Sequence, residues 1–109
     1  MNQKQKLEIC NKVIMHWWEN LFLAYAEDLQ LQDLNSNKCE FCVQFHTGCV
    51  MDMKSCPISK YTGSILCYGT NYQYIANKSE WAINDKKLIK LVSGMLVQLE
   101  EICDKWLNE

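Results

Sequence analysis

The sequence predicts a mainly α-helical chain, a long antiparallel helical hairpin with a cysteine-rich, zinc-stapled irregular insertion between its two helices. Two of the observations behind this are runs of apolar residues at helical spacing, one near each end. The third is the segment between them, which holds five of the seven cysteines, the only proline and three of the four glycines. At 109 residues the chain suits a single domain with one modest core. It divides into a helix over 3–33, a cysteine-rich module over 35–77 and a helix over 80–108.

In the first helix Leu7, Cys10, Ile14, Trp17, Leu21 and Ala24 recur every three or four residues, the signature of a helix seam. Val13, Trp18, Phe22 and Tyr25 widen that stripe beyond what one antiparallel neighbour covers. In the last helix Leu88, Val92, Met95, Leu99, Ile102 and Trp106 repeat the same spacing, with Ser79 or Asn84 as the capping residue. Gly94 falls inside this helix at a cost of about 1 kcal/mol relative to alanine, which predicts close approach of another backbone. Four tryptophans, several of them on wide helical stripes, exceed the cover of one hairpin. A homodimer forming a four-helix bundle, or a partner's groove, is expected to hide the remainder.

The central segment shows no sustained alternation, so a short hairpin is the most strand it predicts, with turns at "YTGS" and "YGTN" and one helical turn in "NYQYIANK". Few aliphatic residues are available there to offset the entropy of ordering it, so it needs a staple.

Hydrophobic residues make up 49% and charged residues 22%, as in ordinary globular proteins. The polar start "MNQKQKLEIC" lacks the apolar core of a signal peptide, and no window reaches the roughly 20 apolar residues of a membrane-spanning helix. A cytoplasmic protein without membrane contact is expected. The formal net charge is −2 and all eleven basic residues are lysines. Without the guanidinium fork, specific nucleic-acid recognition is disfavoured, and Lys86, Lys87 and Lys90 read as a solvated face.

An odd number of cysteines in a reducing compartment points to metal rather than a disulfide framework. Cys10 and Cys103, isolated in the helices, read as core. The other five form C-x2-C-x6-C-x6-C-P-x9-C, with Cys39, Cys42, Cys49, Cys56 and Cys67 as candidates for the four places of a closed tetrahedral zinc site. Cys39, Cys42, Cys56 and Cys67 are the preferred set, since Cys56-Pro57 and the turn at Cys67 both present a thiolate. Cys49 competes for any one place, and His46 offers a fourth ligand in C-x2-C-x3-H-x2-C. Phe41 and Phe45 are expected to pack beneath the site. An iron–sulfur cluster is the second metal reading, since Cys56-Pro57 has the Cys-Pro of cluster-binding sequences.

Catalysis is not predicted. His46 lies close in sequence to Cys42 and Cys49, and His16 neighbours Glu19 and Asn20, yet no arrangement of nucleophile, base and oxyanion donors is specified. There is no phosphate-binding glycine loop, no HExxH and no paired carboxylates. A non-enzymatic interaction protein leads. A zinc-containing nucleic-acid-binding protein and a thiol or iron–sulfur redox protein are the alternatives.

"CEFC", "CP", "YTG" and "CYGTNY" together resemble a group of small, mostly uncharacterised proteins of tailed phages and prophages. Their pattern is C-x2-C, a C-C-P pair, a T-G turn and a closing C-x-x-T-P-Y. The likeness runs from Cys39 to Tyr72, with Thr62-Gly63 as the turn. The chain departs from it at Asn71, which replaces proline, and in the spacing of Cys49 from Cys56, with Met53 at the expected cysteine position. The resemblance implies a phage-encoded accessory protein with a metal-stabilised loop, working in the host cytoplasm as an inhibitor of a host or anti-phage defence complex.

Overall fold

The computed structural model of the chain describes residues 1–35, 38–51, 56–64, 67 and 69–109, with the side chains of all of these except 46–51. All regular structure among them is helical. Helix α1 spans Gln3–Tyr25, α2 Glu40–Met51, α3 Pro57–Thr62, α4 Tyr72–Ala76 and α5 Asp85–Leu107, with a 3-10 turn at Leu31–Leu34. The two long helices pack on each other along their lengths, as the periodicity predicts.

Their relative direction follows from the bonds at the two ends. Gln3 Nε2 donates to the Leu107 carbonyl and Lys6 Nζ to the Trp106 carbonyl at 3.1 Å, so the start of α1 lies beside the end of α5. At the opposite end Lys78 Nζ donates to the Leu29 carbonyl at 2.7 Å, tying the approach to α5 to the exit of α1. The hairpin is antiparallel.

Helix α1 begins at a reciprocal cap. The Asn2 side chain accepts from the Gln5 amide, and the Gln5 side chain accepts from the Asn2 amide, satisfying two of the donors a helix start leaves open. It ends at Tyr25, eight residues short of the helix expected over 3–33. Glu27 adopts a left-handed backbone, φ 58°, and its amide bonds the Ala24 carbonyl while that of Asp28 bonds Leu23. This is a Schellman stop. No glycine marks it, and Leu29, Leu31 and Leu34 continue an apolar pattern past it, so the sequence conceals the end. Glycine would take the same conformation without the penalty of about 1 kcal/mol borne by a side chain. A Glu27→Gly variant is therefore expected to melt several degrees higher than wild type. An unchanged or lower Tm would contradict this account of the stop.

The face of α1 turned to α5 is Ile9, Cys10, Val13, Trp17, Asn20 and Ala24. Leu7 is exposed, and Ile14 and Leu21 are half-buried, so the contact is rotated from the expected seam. On α5 all six seam residues, Leu88 to Trp106, are buried as their spacing predicts. This helix starts at Asp85 rather than 80, because the Asn84 side chain accepts from the Lys87 amide at 2.8 Å and so caps it. Gly94 does meet a close neighbour, but a side chain and not a helix backbone. A Cβ there would stand 2.8 Å from Asn71 Nδ2, which donates to the Leu91 carbonyl.

The segment expected to be irregular over 35–77 carries α2, α3 and α4, and no strand occurs among its described residues. The predicted helical turn in "NYQYIANK" is α4. Helix α2 packs on α1 and α3, while α3 and α4 pack on α5. One cluster of buried side chains runs through all of them, including Phe41, Ile58 and Ile75.

Candidate metal centre

The local folds that place the cysteines are helix starts and one strained turn. Cys39 immediately precedes α2 and Cys42 lies in its first turn, so the C-x2-C pair sits where backbone N–H groups lack intrahelical partners. The amides of Phe41 and Cys42 point at the Cys39 sulfur. Cys56 stands at the same position before α3, with Pro57 as the first helical residue, a placement in which the missing proline N–H costs nothing. Cys67 arrives from the other direction in a left-handed conformation, φ 64°. Its carbonyl accepts both the amide and the hydroxyl of Thr70, which holds the turn that presents its thiol.

These turns set Cys39, Cys42 and Cys67 near one another, and Cys56 lies within electrostatic reach of Cys42. All six described cysteines are reduced thiols. Cys56 is buried, whereas Cys39, Cys42 and Cys67 are partly so. The side chains of Cys49 and His46, the two rival ligands, lie outside the described residues, as does the backbone of Met53.

The electrostatics favour the protonated, neutral thiols. The hydrogen bond with Cys42, followed by burial and the charge of Cys42, pushes the Cys39 thiol far above its ordinary range. For Cys42 the bond from Cys39 pulls downward. The bond with Cys67, burial and the charges of Cys67 and Cys56 outweigh it, and Cys42 is pushed up to about 12. Tyr72 is shifted upward too, by burial first and then by Cys67, Cys42 and Cys39. With their pKa values raised, Cys39 and Cys42 are neutral thiols in the absence of a cation, and a bound metal ion would deprotonate them.

Cys10 and Cys103 form a separate pair. Their thiols are hydrogen-bonded across the α1–α5 contact, and both are buried in the core as expected. Among the described residues no group of three or more Cys, His, Asp or Glu side chains is placed so that it could hold a metal ion. The donor chemistry of the four nevertheless fits zinc. Zn–S bonds of about 2.3 Å would space the sulfurs of a tetrahedron roughly 3.8 Å apart.

The support beneath the site is aromatic. Phe41 is fully buried and meets the edge of Trp106 at 5.7 Å, and Phe45 meets it at 5.8 Å. The expected packing role of both phenylalanines holds, and Trp106 is the anchor the sequence did not single out for it. Tyr72 was equally inconspicuous. Its hydroxyl donates to the Leu34 carbonyl at 2.6 Å, linking the cysteine cluster to the 3-10 turn. The Cys67 turn itself depends on a glycine, since a Cβ on Gly69 would lie 2.5 Å from Thr62 Cβ.

His16, on α1, is half-buried. Its ring lies edge-on to Trp17 at 5.8 Å, Nε2 is 3.4 Å from Asn20 Nδ2, and burial lowers its pKa. It packs as a neutral helix-face residue.

Away from the cysteines, the rings of Tyr74 and Trp81 meet at 4.9 Å, tilted by 58°, on an exposed surface. With Ile83, Lys87 and Leu91 they line a groove of about 300 Å³. No helix among the described residues is long and apolar enough to cross a membrane. Compared with protein-family models, curated proteins and solved structures, the chain gives no match.

Proposed function

We propose that the chain is a small non-enzymatic accessory protein of phage type, held by one structural zinc ion, that binds a host or anti-phage defence protein complex in the cytoplasm and inhibits it. The observation that carries the binding role is the Tyr74–Trp81 surface, where the two rings are 41% and 47% exposed. Exposed aromatics around an apolar groove with a charged rim are what protein interfaces concentrate. Zinc enters as the staple. Cys39, Cys42, Cys56 and Cys67 would hold it, fixing α2, α3 and the Cys67 turn to one another, and so to α5.

The test is affinity capture from host cells with wild-type protein and with a Tyr74→Ala/Trp81→Ala variant. Wild type is expected to retain a stoichiometric protein partner, and the variant to lose most of it. Repeated capture of no partner by wild type would overturn the reading.

One observation favours a second reading, binding of single-stranded nucleic acid. Trp81 and Tyr74 lie beside Lys87, and stacking rings next to lysines suit unpaired bases. That reading requires a steep loss of oligonucleotide affinity with salt.

A further inference from the structure

The face of α1 opposite its contact with α5 is also apolar. Met15, Trp18, Phe22 and Tyr25 follow one another at helical spacing and are 63%, 54%, 73% and 66% exposed. At about 200 Å² per large side chain they leave roughly 500 Å² uncovered, near the upper end of what a monomer shows. Leu7, exposed, and Ile14 and Leu21, half-buried, extend the stripe towards the approximately 800 Å² per partner of a standard interface.

The two flanks of this stripe differ, and the difference selects the occupant. One flank is Leu7, Ile14 and Leu21. The other is Lys12, Glu19 and Ala26, with Lys12 largely exposed although 3.8 Å from Glu40. In a parallel pair of α1 helices each apolar flank would face the other helix's charged flank. In an antiparallel pair like meets like: the apolar flanks join, and Lys12 reaches the partner's Glu19 while Glu19 reaches the partner's Lys12. The register that does this sets Met15 against the partner's Trp18, with both symmetry-related ion pairs formed. Such self-complementarity is the property of a two-fold interface.

We infer that this face of α1 binds a second copy of the chain, antiparallel, around Met15 and Trp18 and flanked by two Lys12–Glu19 pairs. The four long helices then form a bundle, and the Tyr74–Trp81 surfaces are presented twice. The inference stands apart from the zinc and host-partner readings, because none of its residues belongs to the cysteine cluster or the groove.

Sedimentation of the full chain between about 1 and 100 µM is the test, with far-ultraviolet circular dichroism to verify folding and metal content measured on the same samples. Wild type is expected to be a dimer. Trp18→Glu should raise its Kd about 100-fold or more, and Phe22→Ser about 10-fold. Glu19→Lys should weaken it roughly 5-fold, and adding Lys12→Glu should restore it. A wild-type monomer throughout the range overturns the inference, including one whose α1 face proves to hold a different protein. So does a dimer indifferent to Trp18→Glu and Phe22→Ser, and failure of the charge swap overturns the antiparallel register. Monomers that retain their metal would show that the dimer has failed and the zinc reading has not.

Discussion

Cys42→Ala is expected to abolish metal binding and to lower the melting temperature more than any other single substitution in the central segment. The thiol of Cys42 is the one influenced by Cys39, Cys67 and Cys56 alike, so in the proposed site its loss removes the most central ligand. Structural zinc contributes apparent binding energies on the order of 10 kcal/mol, and that energy is folding energy. Small domains have only about 5–15 kcal/mol of net stability. Losing the ion should therefore leave α2, α3 and the Cys67 turn unpacked, with the α1–α5 hairpin as the residual structure. Treatment of wild type with a chelator should reproduce the variant's melting curve. Cys10→Ala supplies the contrast, since Cys10 pairs with Cys103 inside the hairpin: metal stoichiometry should stay unchanged while a small cavity costs about 1 kcal/mol. Equal metal content in wild type and Cys42→Ala would contradict this picture.

Trp106→Ala carries the second large effect. Its ring is buried at the end of α5, meets the edges of Phe41 and Phe45, and has Lys6 Nζ 5.3 Å from its centroid. Truncation removes the surface on which α2 rests and leaves a cavity that two aromatic rings cannot readily fill. The expected cost is about 3–5 kcal/mol, corresponding to a fall in Tm of roughly 15–30 °C for a domain of this size. Because α2 carries Cys42 and directly follows Cys39, metal affinity should fall in parallel. Phenylalanine at 106 should recover most of the stability, as the edge contacts survive. A Trp106→Ala protein that melts within a few degrees of wild type would show that α2 is not seated on this ring.

How much of this the sequence displays depends on how regular each element is. Helix α5 is legible along its seam, since its six residues keep strict spacing and every one is buried, while its start lies at Asp85 and not at 80. Helix α1 is legible as a helix, but its end is not, because Glu27 performs the left-handed stop that glycine usually announces. Its exposed stripe of Met15, Trp18, Phe22 and Tyr25 is visible as excess apolar width, yet spacing alone cannot say which of two apolar faces meets α5. The three short helices are hidden by content. "EFCVQFHTGCVM" mixes cysteine, glycine, threonine and β-branched residues of modest helix propensity, and α3 and α4 are too short to show a period.

The cysteine cluster reads differently. C-x2-C and Cys-Pro each mark a chain reversal that leaves a thiol beside unpaired amides, so the helix-start positions of Cys39, Cys42 and Cys56 are visible as spacing. What supports them is not, because Trp106 and Tyr72 reach the site from elements 64 and 30 residues beyond Cys42.

The most direct test of the central claim is metal content by mass spectrometry, with an ultraviolet–visible spectrum, on protein purified under reducing, low-oxygen conditions. One zinc per chain and a featureless visible region is the predicted result, with Cys39, Cys42, Cys56 and Cys67 as scaffold. Iron with a broad brown absorbance, or no metal bound at all, would contradict it.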